Sequence, residues 1–443
     1  MSKTATRQAL VFICGCITAL MVFGGHTLLT GQLSGPPSIA DDQLAYDSLG
    51  WEIANSGIYQ THYASPAFLN AYGDAADAIL DLHGSENPKR VGPWPTAMRP
   101  PLYPYLLALG NRMLGRQFMF GRLINLAAAA LTCGILALLA DRFGGWPTAV
   151  VAVVQFCLVD VRTRMFARTL LTESLAMLAI AVLFWGLLSL MDRRRTRPYL
   201  GWITAGIVLG VSALLRSMFV LWIPVIAIGL WRRKRNSVGS GTASGEWIPI
   251  AGMVLIAMLV LSPWMVRNLT VLDGFQPLGT QGAKDAVAGY SDRSLRGMGL
   301  WWDPRAAGLF DDVGTDLGSL ETETQWGRTS VALAKDWIVS DGYKLPVLAA
   351  AKVFSAWRPW NLGDLYVSAF ALMGWIAYRR TEHANVAGIL WLACTLGIAA
   401  TWSTAGRFTV PLLMPIHLFA SLGVVHCWRR CWQSTLHEPS ADV

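Results

Sequence analysis

The stretch Phe120–Asp141, FGRLINLAAAALTCGILALLAD, decides the fold. Between Arg122 and Asp141 it carries no charge. As a helix rising about 1.5 Å per residue, it spans most of a hydrocarbon core about 30 Å thick. Similar runs occur on both sides of it, roughly at 9–29, 146–161, 172–191, 199–215, 217–231, 247–266, 363–378, 384–402 and 408–427. Including the first stretch, that gives about ten candidate spans. Three of them, 146–161, 217–231 and 363–378, are short and need flanking residues in the headgroup layer. With 53% apolar residues, only 14% charged and 20 Trp in 443 residues, a soluble enzyme is excluded.

The net charge of +8 does not point to nucleic acid, because the basic residues cluster beside apolar runs rather than along one face. They read as topology signals. With Lys3 and Arg7 cytoplasmic, Arg142, Arg193–Arg195 and Arg197, Arg232–Arg235, Arg379/Arg380 and Arg429/Arg430 all fall inside. Counting Lys344–Trp357 as a span would invert the last two groups, so it is expected to lie on the outer surface as an amphipathic helix. Ser38-Ile39-Ala40 resembles a signal cleavage site but stands too far from an overlong core, so the first helix is expected to stay uncleaved.

The fold class expected is an all-α polytopic membrane protein with two larger extracytoplasmic loops, about 31–118 and 267–345, carrying short amphipathic helices. Its parts are 1–266, a transmembrane catalytic module containing the first loop; 267–362, the second loop and surface helix; 363–430, the last transmembrane helices; and 431–443, a cytoplasmic tail. A bacterial inner membrane suits this plan, with both termini cytoplasmic and chemistry outside. All seven cysteines sit in or beside apolar runs, so no disulfide framework is indicated.

The first loop opens with Asp41-Asp42-Gln43-Leu44-Ala45-Tyr46-Asp47. A short helix on the membrane surface, begun by an acidic cap, is expected here. A carboxylate at that level can serve as general base for an acceptor in water while a lipid-borne reactant arrives from the bilayer. Capping is the plainer role for either acid. Arg99-Pro100-Pro101-Leu102-Tyr103-Pro104 reads as a rigid turn that seats the loop.

Arg162, Arg164 and Arg168 lie between spans on the side where the inside rule calls for no positive charge. Either a phosphate or ordinary lipid contact would account for them. Glu173 opens an apolar run. It fits a helix-start acid, a partner for the arginines, or, together with Asp42, a hard divalent cation such as Mg or Mn. Arg216, Arg267 and Arg407 emerge at outer ends of spans, as snorkelling anchors or as a ring for a lipid phosphate. No HExxH and no GxxxxGK[ST] is present, so neither zinc, nucleotide nor haem is indicated.

Taken in order, these residues resemble a GT-C glycosyltransferase of the protein O-mannosyltransferase and aminoarabinose lipid A transferase type. The resemblance rests on Asp42 with Tyr46 four residues on, Gly57-Ile58-Tyr59, Arg99 to Pro104, Leu171-Thr172-Glu173, Pro263-Trp264 with Arg267-Asn268, and Arg407-Phe408 with Pro411. It implies a polyprenyl-phosphate-sugar donor, a protein, lipid or glycan acceptor hydroxyl, and transfer with inversion. Asp42 is then the catalytic base, Asp41 and Glu173 supporting acids, and Tyr46, Arg99 and Tyr103 loop-positioning residues. Arg162, Arg164, Arg168, Arg216, Arg267 or Arg407 would hold the leaving phosphate. Many family members carry Glu after the catalytic Asp, where this chain has Gln43. A lipid-linked sugar transporter or flippase is the alternative, and a scaffold binding through 267–345 a third.

Overall fold

The computed structural model describes residues 3–83, 92–191, 198–237, 247–310 and 320–436. Arg193 to Arg195, Arg197, Asp311, Asp312 and the tail beyond 436 lie outside them. The architecture is helical, with two small departures among the described residues: an isolated parallel bridge between Leu300 and Ser403, and one two-stranded pairing. Gln60 and Thr61 pair antiparallel with Pro95 and Trp94, joining two segments inside the first loop.

The principal helices are α1 (Lys3–Ala19), α2 (Asp42–Ser56), α3 (Leu102–Leu114), α4 (Phe118–Gly144), α5 (Trp146–Val154), α6 (Val161–Ala167) and α7 (Glu173–Met191). Then come α8 (Pro198–Leu215), α9 (Trp222–Ser237), α10 (Ile248–Val271), α11 (Leu320–Asp341), α12 (Leu345–Trp357), α13 (Leu362–Tyr378), α14 (Glu382–Ala399) and α15 (Leu413–Leu436). Among the described residues six helices are long and apolar enough to cross a membrane: Ala5–Leu29, Phe118–Gly144, Glu173–Leu190, Ile248–Val271, Glu382–Ala399 and Arg407–Trp432. Trp146–Val159, Tyr199–Leu215 and Leu362–Tyr378 are apolar but shorter. The chain is a multi-pass membrane protein.

Packing follows side-chain size. Gly15 of α1 lies against Gly134 and Ala137 of α4, and Gly134 against Cys16, so the two backbones meet closely over small residues. The outer flank of α1 shows Leu10, Ile13 and Ile17, and that of α10 shows Leu255, Leu259 and Val266. Such faces suit hydrocarbon rather than water.

Both long loops are more helical than their polarity suggests. The helix α11 buries Thr322, Glu323, Trp326, Gly327, Ser330 and Ala334, a 3.6-residue periodicity made mostly of small and polar side chains. A pattern without an aliphatic stripe escapes a reading based on apolar spacing. The stretch expected as a surface helix is α12, and it packs on α14.

Candidate active site

The helix α2 begins because Asp41, in extended backbone, accepts the Gln43 amide at 2.8 Å. It ends because Gly57 takes a left-handed φ of 74° and donates its amide to Ile53 O. Capping is thus the role of Asp41, and it frees Asp42 in the first turn to face a cavity of about 1050 Å³. The wall of that cavity draws on both long loops and on the adjoining ends of the helices.

Five charged side chains meet here: Asp42, Arg99, Arg216 and Arg407 line the cavity, and Glu173 is buried behind them. Asp42 Oδ1 accepts from Arg99 Nη2 at 2.5 Å, and Oδ2 from Arg407 Nη1 at 2.7 Å. Glu173, fully buried at the start of α7, accepts from Arg216 Nη1 at 2.7 Å and from Arg407 Nε on the same oxygen, Oε1. Its other oxygen, Oε2, has no hydrogen-bond partner. Arg407 therefore bridges the two acids. Three guanidiniums face two carboxylates, leaving one positive charge uncompensated.

Burial alone would raise the Asp42 pKa, yet Arg99, Arg407 and Arg216 outweigh it and hold the carboxyl well below its ordinary range. Asp42 is ionised, with a quarter of its side chain exposed. Arg407 is presented by unusual backbone: Ala405 has φ 52° and Gly406 φ 85°, the first without glycine's freedom. Strain of this kind persists where surrounding contacts over-determine it.

The loop carrying Arg99 is held from three sides. Tyr59 donates its hydroxyl to Arg99 O at 2.9 Å, and Arg267 donates to Thr96 O at 3.0 Å while lying over Tyr59 and Trp264. From α11, Glu323 accepts from the Thr96 hydroxyl, from the Ala97 amide at 3.1 Å and from the Thr280 hydroxyl at 2.8 Å. Thr280 N donates to Ala97 O at 3.1 Å, and a side chain at Gly279, φ 98°, would collide with that carbonyl. Glu323 had no signature in the sequence. It is the second acid of Glu321-Thr322-Glu323, and its partners lie in two other segments.

The remaining expected residues divide clearly. Tyr46 lines the cavity under Arg99 and packs edge-on against the buried Tyr103, whose hydroxyl accepts from Asn125 at 3.2 Å. Arg216 and Arg407 line the cavity; Arg162, Arg164, Arg168 and Arg267 do not. Arg162 sits between Asp160 and Asp364 at 3.5 and 3.4 Å. Arg168 bonds His26 at 3.0 Å. The broad ring of cations expected from the sequence thus contracts to Arg216 and Arg407, joined by Arg99. Gln43, at the variant position, is structural: its Oε1 accepts the Leu170 amide at 2.8 Å and its Nε2 donates to Asp41 at 3.1 Å.

The fold of this helical bundle is shared with solved membrane-protein structures, and part of the chain matches a family model. Residues 98–266 match the family described as dolichyl-phosphate-mannose-protein mannosyltransferase. The structure is similar to ArnT from Cupriavidus metallidurans bound to undecaprenyl phosphate, at 13% identity and TM-score 0.56, over 98% of this chain and 62% of that one. It is similar to the apo form of the same protein at 14% identity and TM-score 0.53, with the same shares covered, 98% and 62%. Archaeal oligosaccharyltransferase AglB from Archaeoglobus fulgidus, in complex with an inhibitory peptide and a dolichol-phosphate, is similar at 11% identity and TM-score 0.54, over 100% and 53% of the two chains. This chain thus spans less than two thirds of the length of these proteins. No curated protein matches its sequence.

Proposed function

We propose that the protein transfers a sugar from a polyprenyl-phosphate donor to an acceptor hydroxyl at the extracytoplasmic face, with inversion at the anomeric carbon. The observation that carries this reading is Arg407, shared between the catalytic candidate Asp42 and the buried Glu173 in a cluster with one positive charge to spare. A lipid phosphate entering along Leu215, Met218 and Leu221 would bring its negative charge to that surplus. Ten spans, with both termini cytoplasmic, put Asp42 outside, and the three shorter helices would cross with their flanks in the headgroup layer.

The chemistry needs one base and one stabilised leaving group. Asp42 takes the acceptor hydroxyl proton as that oxygen bonds to the anomeric carbon. The bond from that carbon to the phosphate oxygen breaks on the opposite face, and its electron pair leaves on the phosphate, facing Arg407 and Arg216. A single displacement inverts the centre. In the free protein two arginines make Asp42 a weak base. When the phosphate draws Arg407 away, Asp42 loses a counter-charge and gains basicity where the acceptor arrives.

A divalent cation does not fit this donor set. Asp42 and Glu173 are each engaged by two guanidiniums, and no cluster of three His, Cys, Asp or Glu side chains suited to a metal occurs among the described residues.

The test is transfer in membranes supplied with polyprenyl-phosphate-sugar. Asp42→Asn should abolish product while the protein is made at normal levels. Product at the wild-type rate would overturn the reading, and donor movement across vesicles with no new glycosidic bond would support a flippase instead.

A further inference from the structure

The mechanism above uses the floor of the cavity and leaves part of its outer wall without a task. There Lys284 and Asp285 stand at the joint of two short helices, Gln281–Lys284 and Ala286–Gly289. Both line the cavity, and both are more than nine-tenths buried, at 7% and 3% exposure. Their polar atoms are nonetheless under-used. The Lys284 ammonium has Asp285 Oδ1 at 3.7 Å and the Met98 sulfur at 3.9 Å, and Asp285 Oδ1 makes no hydrogen bond. An ammonium offers three N–H donors and a carboxylate several lone pairs, so buried groups left this way are unfavourable until something supplies partners.

The surroundings indicate what that partner is. The Trp301 indole N–H donates to the Asp285 carboxylate, leaving Oδ1 without a partner; the ring lines the same cavity and is 40% exposed. Adjacent hydroxyls can donate to a carboxylate and accept from an ammonium. An aromatic face can cover the C–H side of a sugar ring. The charge balance narrows the class further. Lys284 and Asp285 together carry no net charge and so offer a charged sugar no net attraction, whereas the hydroxyls of a neutral ring can both donate to the carboxylate and accept from the ammonium. Asp285 also acts electrostatically on Arg99, the partner of Asp42.

We propose that Lys284, Asp285 and Trp301 form a subsite for a neutral, polyhydroxylated sugar ring, separate from the phosphate end at Arg216 and Arg407. The inference rests on the glycosyltransferase reading, which offers two sources for such a ring: the sugar of the donor or a sugar unit of a glycan acceptor. The Thr280–Glu323 contact positions this joint and the Arg99 loop together, so the subsite and the base are held in one frame.

Full-length protein in nanodiscs, as wild type and as Lys284→Met, Asp285→Asn and Trp301→Leu, tests this by calorimetric titration. The probes are bare undecaprenyl phosphate, the same lipid carrying mannose, glucose, galactose or 4-aminoarabinose, and soluble neutral trisaccharides of the first three sugars. Bare lipid should bind all forms equally, which also establishes that the variants are folded. A neutral sugar should tighten wild-type binding, and the variants should lose about ten- to hundredfold of that affinity. Loss with the lipid-linked sugar assigns the subsite to the donor, and loss with the trisaccharide assigns it to the acceptor.

Neutral sugars that add nothing in the wild type, or variants that retain the full gain, overturn the proposal. So does the aminoarabinose lipid binding tighter than the neutral ones. Failure of bare lipid to bind the wild type counts against the glycosyltransferase reading, while the trisaccharide arm still decides the subsite.

Discussion

Asp42 and Asp47 stand five residues apart on α2, both paired with arginine, and the contrast between them separates a site from a structural joint. Asp47 is buried, receives both Nη atoms of Arg116 at 2.6 and 2.5 Å, and accepts the Tyr72 hydroxyl at 2.8 Å. The Arg116 guanidinium lies over Trp51, Phe68 and Phe118. One charge meets one charge, walled by aromatic rings, and nothing remains for a ligand. Asp42 draws its arginines from segments 57 and 365 residues away and shares one with Glu173. That cluster has surplus charge and an open cavity, so its contacts can be exchanged for a substrate's. An acid–arginine pair acquires a functional meaning from its charge balance and its access, rather than from its residue types.

The largest effects should split the two acids by kind. Asp42→Asn is expected to lower transfer about a thousandfold or more with little change in thermal stability. Asp47→Asn should remove about 3–5 kcal/mol of stability, because Arg116 would stay buried without its counter-charge. Unfolding and turnover measured on the same preparations check both; an inactive but stable Asp47→Asn would blur the contrast. Next, Arg407→Gln should lower kcat/KM about a hundredfold, whereas Arg162→Gln, outside the cavity, should change it less than Arg407→Gln does.

A pH profile sharpens the comparison further. Asp42 is held ionised below the ordinary carboxylate range, so kcat/KM should stay level as pH falls toward about 4, where an unpaired carboxylate protonates. Arg99→Gln removes one stabilising charge and should move the acidic limb to higher pH. A limb that stays in place would show that Asp42 is not the titrating base. The smallest effect is expected at Gln43. In Gln43→Glu the Nε2 donor that meets Asp41 becomes a carboxylate, which should cost about 1 kcal/mol of stability. Chemical denaturation would measure it, and an unchanged midpoint would mean that the Asp41 contact carries no weight.

Much of the bundle was legible in the sequence because a membrane imposes length and hydropathy on each helix, and runs such as Phe120–Asp141 have no other reading. Glu173, Arg216 and Arg407 were legible as candidates because each is a charge beside an apolar run, Asp42 because it is an acid at the start of the first loop's helix, and Arg99 because it opens a Pro-rich turn of the family resemblance. Local sequence could not separate Arg216 and Arg407 from Arg162, Arg164, Arg168 and Arg267. All six share that local setting, and only the tertiary fold determines which face the cavity. Lys284, Asp285 and Glu323 gave no signal, since their meaning comes from contacts with Met98, Thr96 and Ala97, far away in the chain. The helix α11 gave little signal for a related reason, its buried side chains being Thr, Glu, Gly, Ser, Ala and one Trp rather than Leu or Val.

The most direct test is the position of the phosphate in a structure of the full chain with undecaprenyl phosphate. The charge surplus predicts phosphate oxygens within hydrogen-bonding distance of Arg407 and Arg216, with the Arg407–Asp42 contact lengthened and the Asp42 carboxylate turned toward the open cavity. Phosphate density seated instead at Arg162, Arg164, Arg168 or Arg267, with the Asp42–Arg407–Glu173 bridge intact, would contradict it.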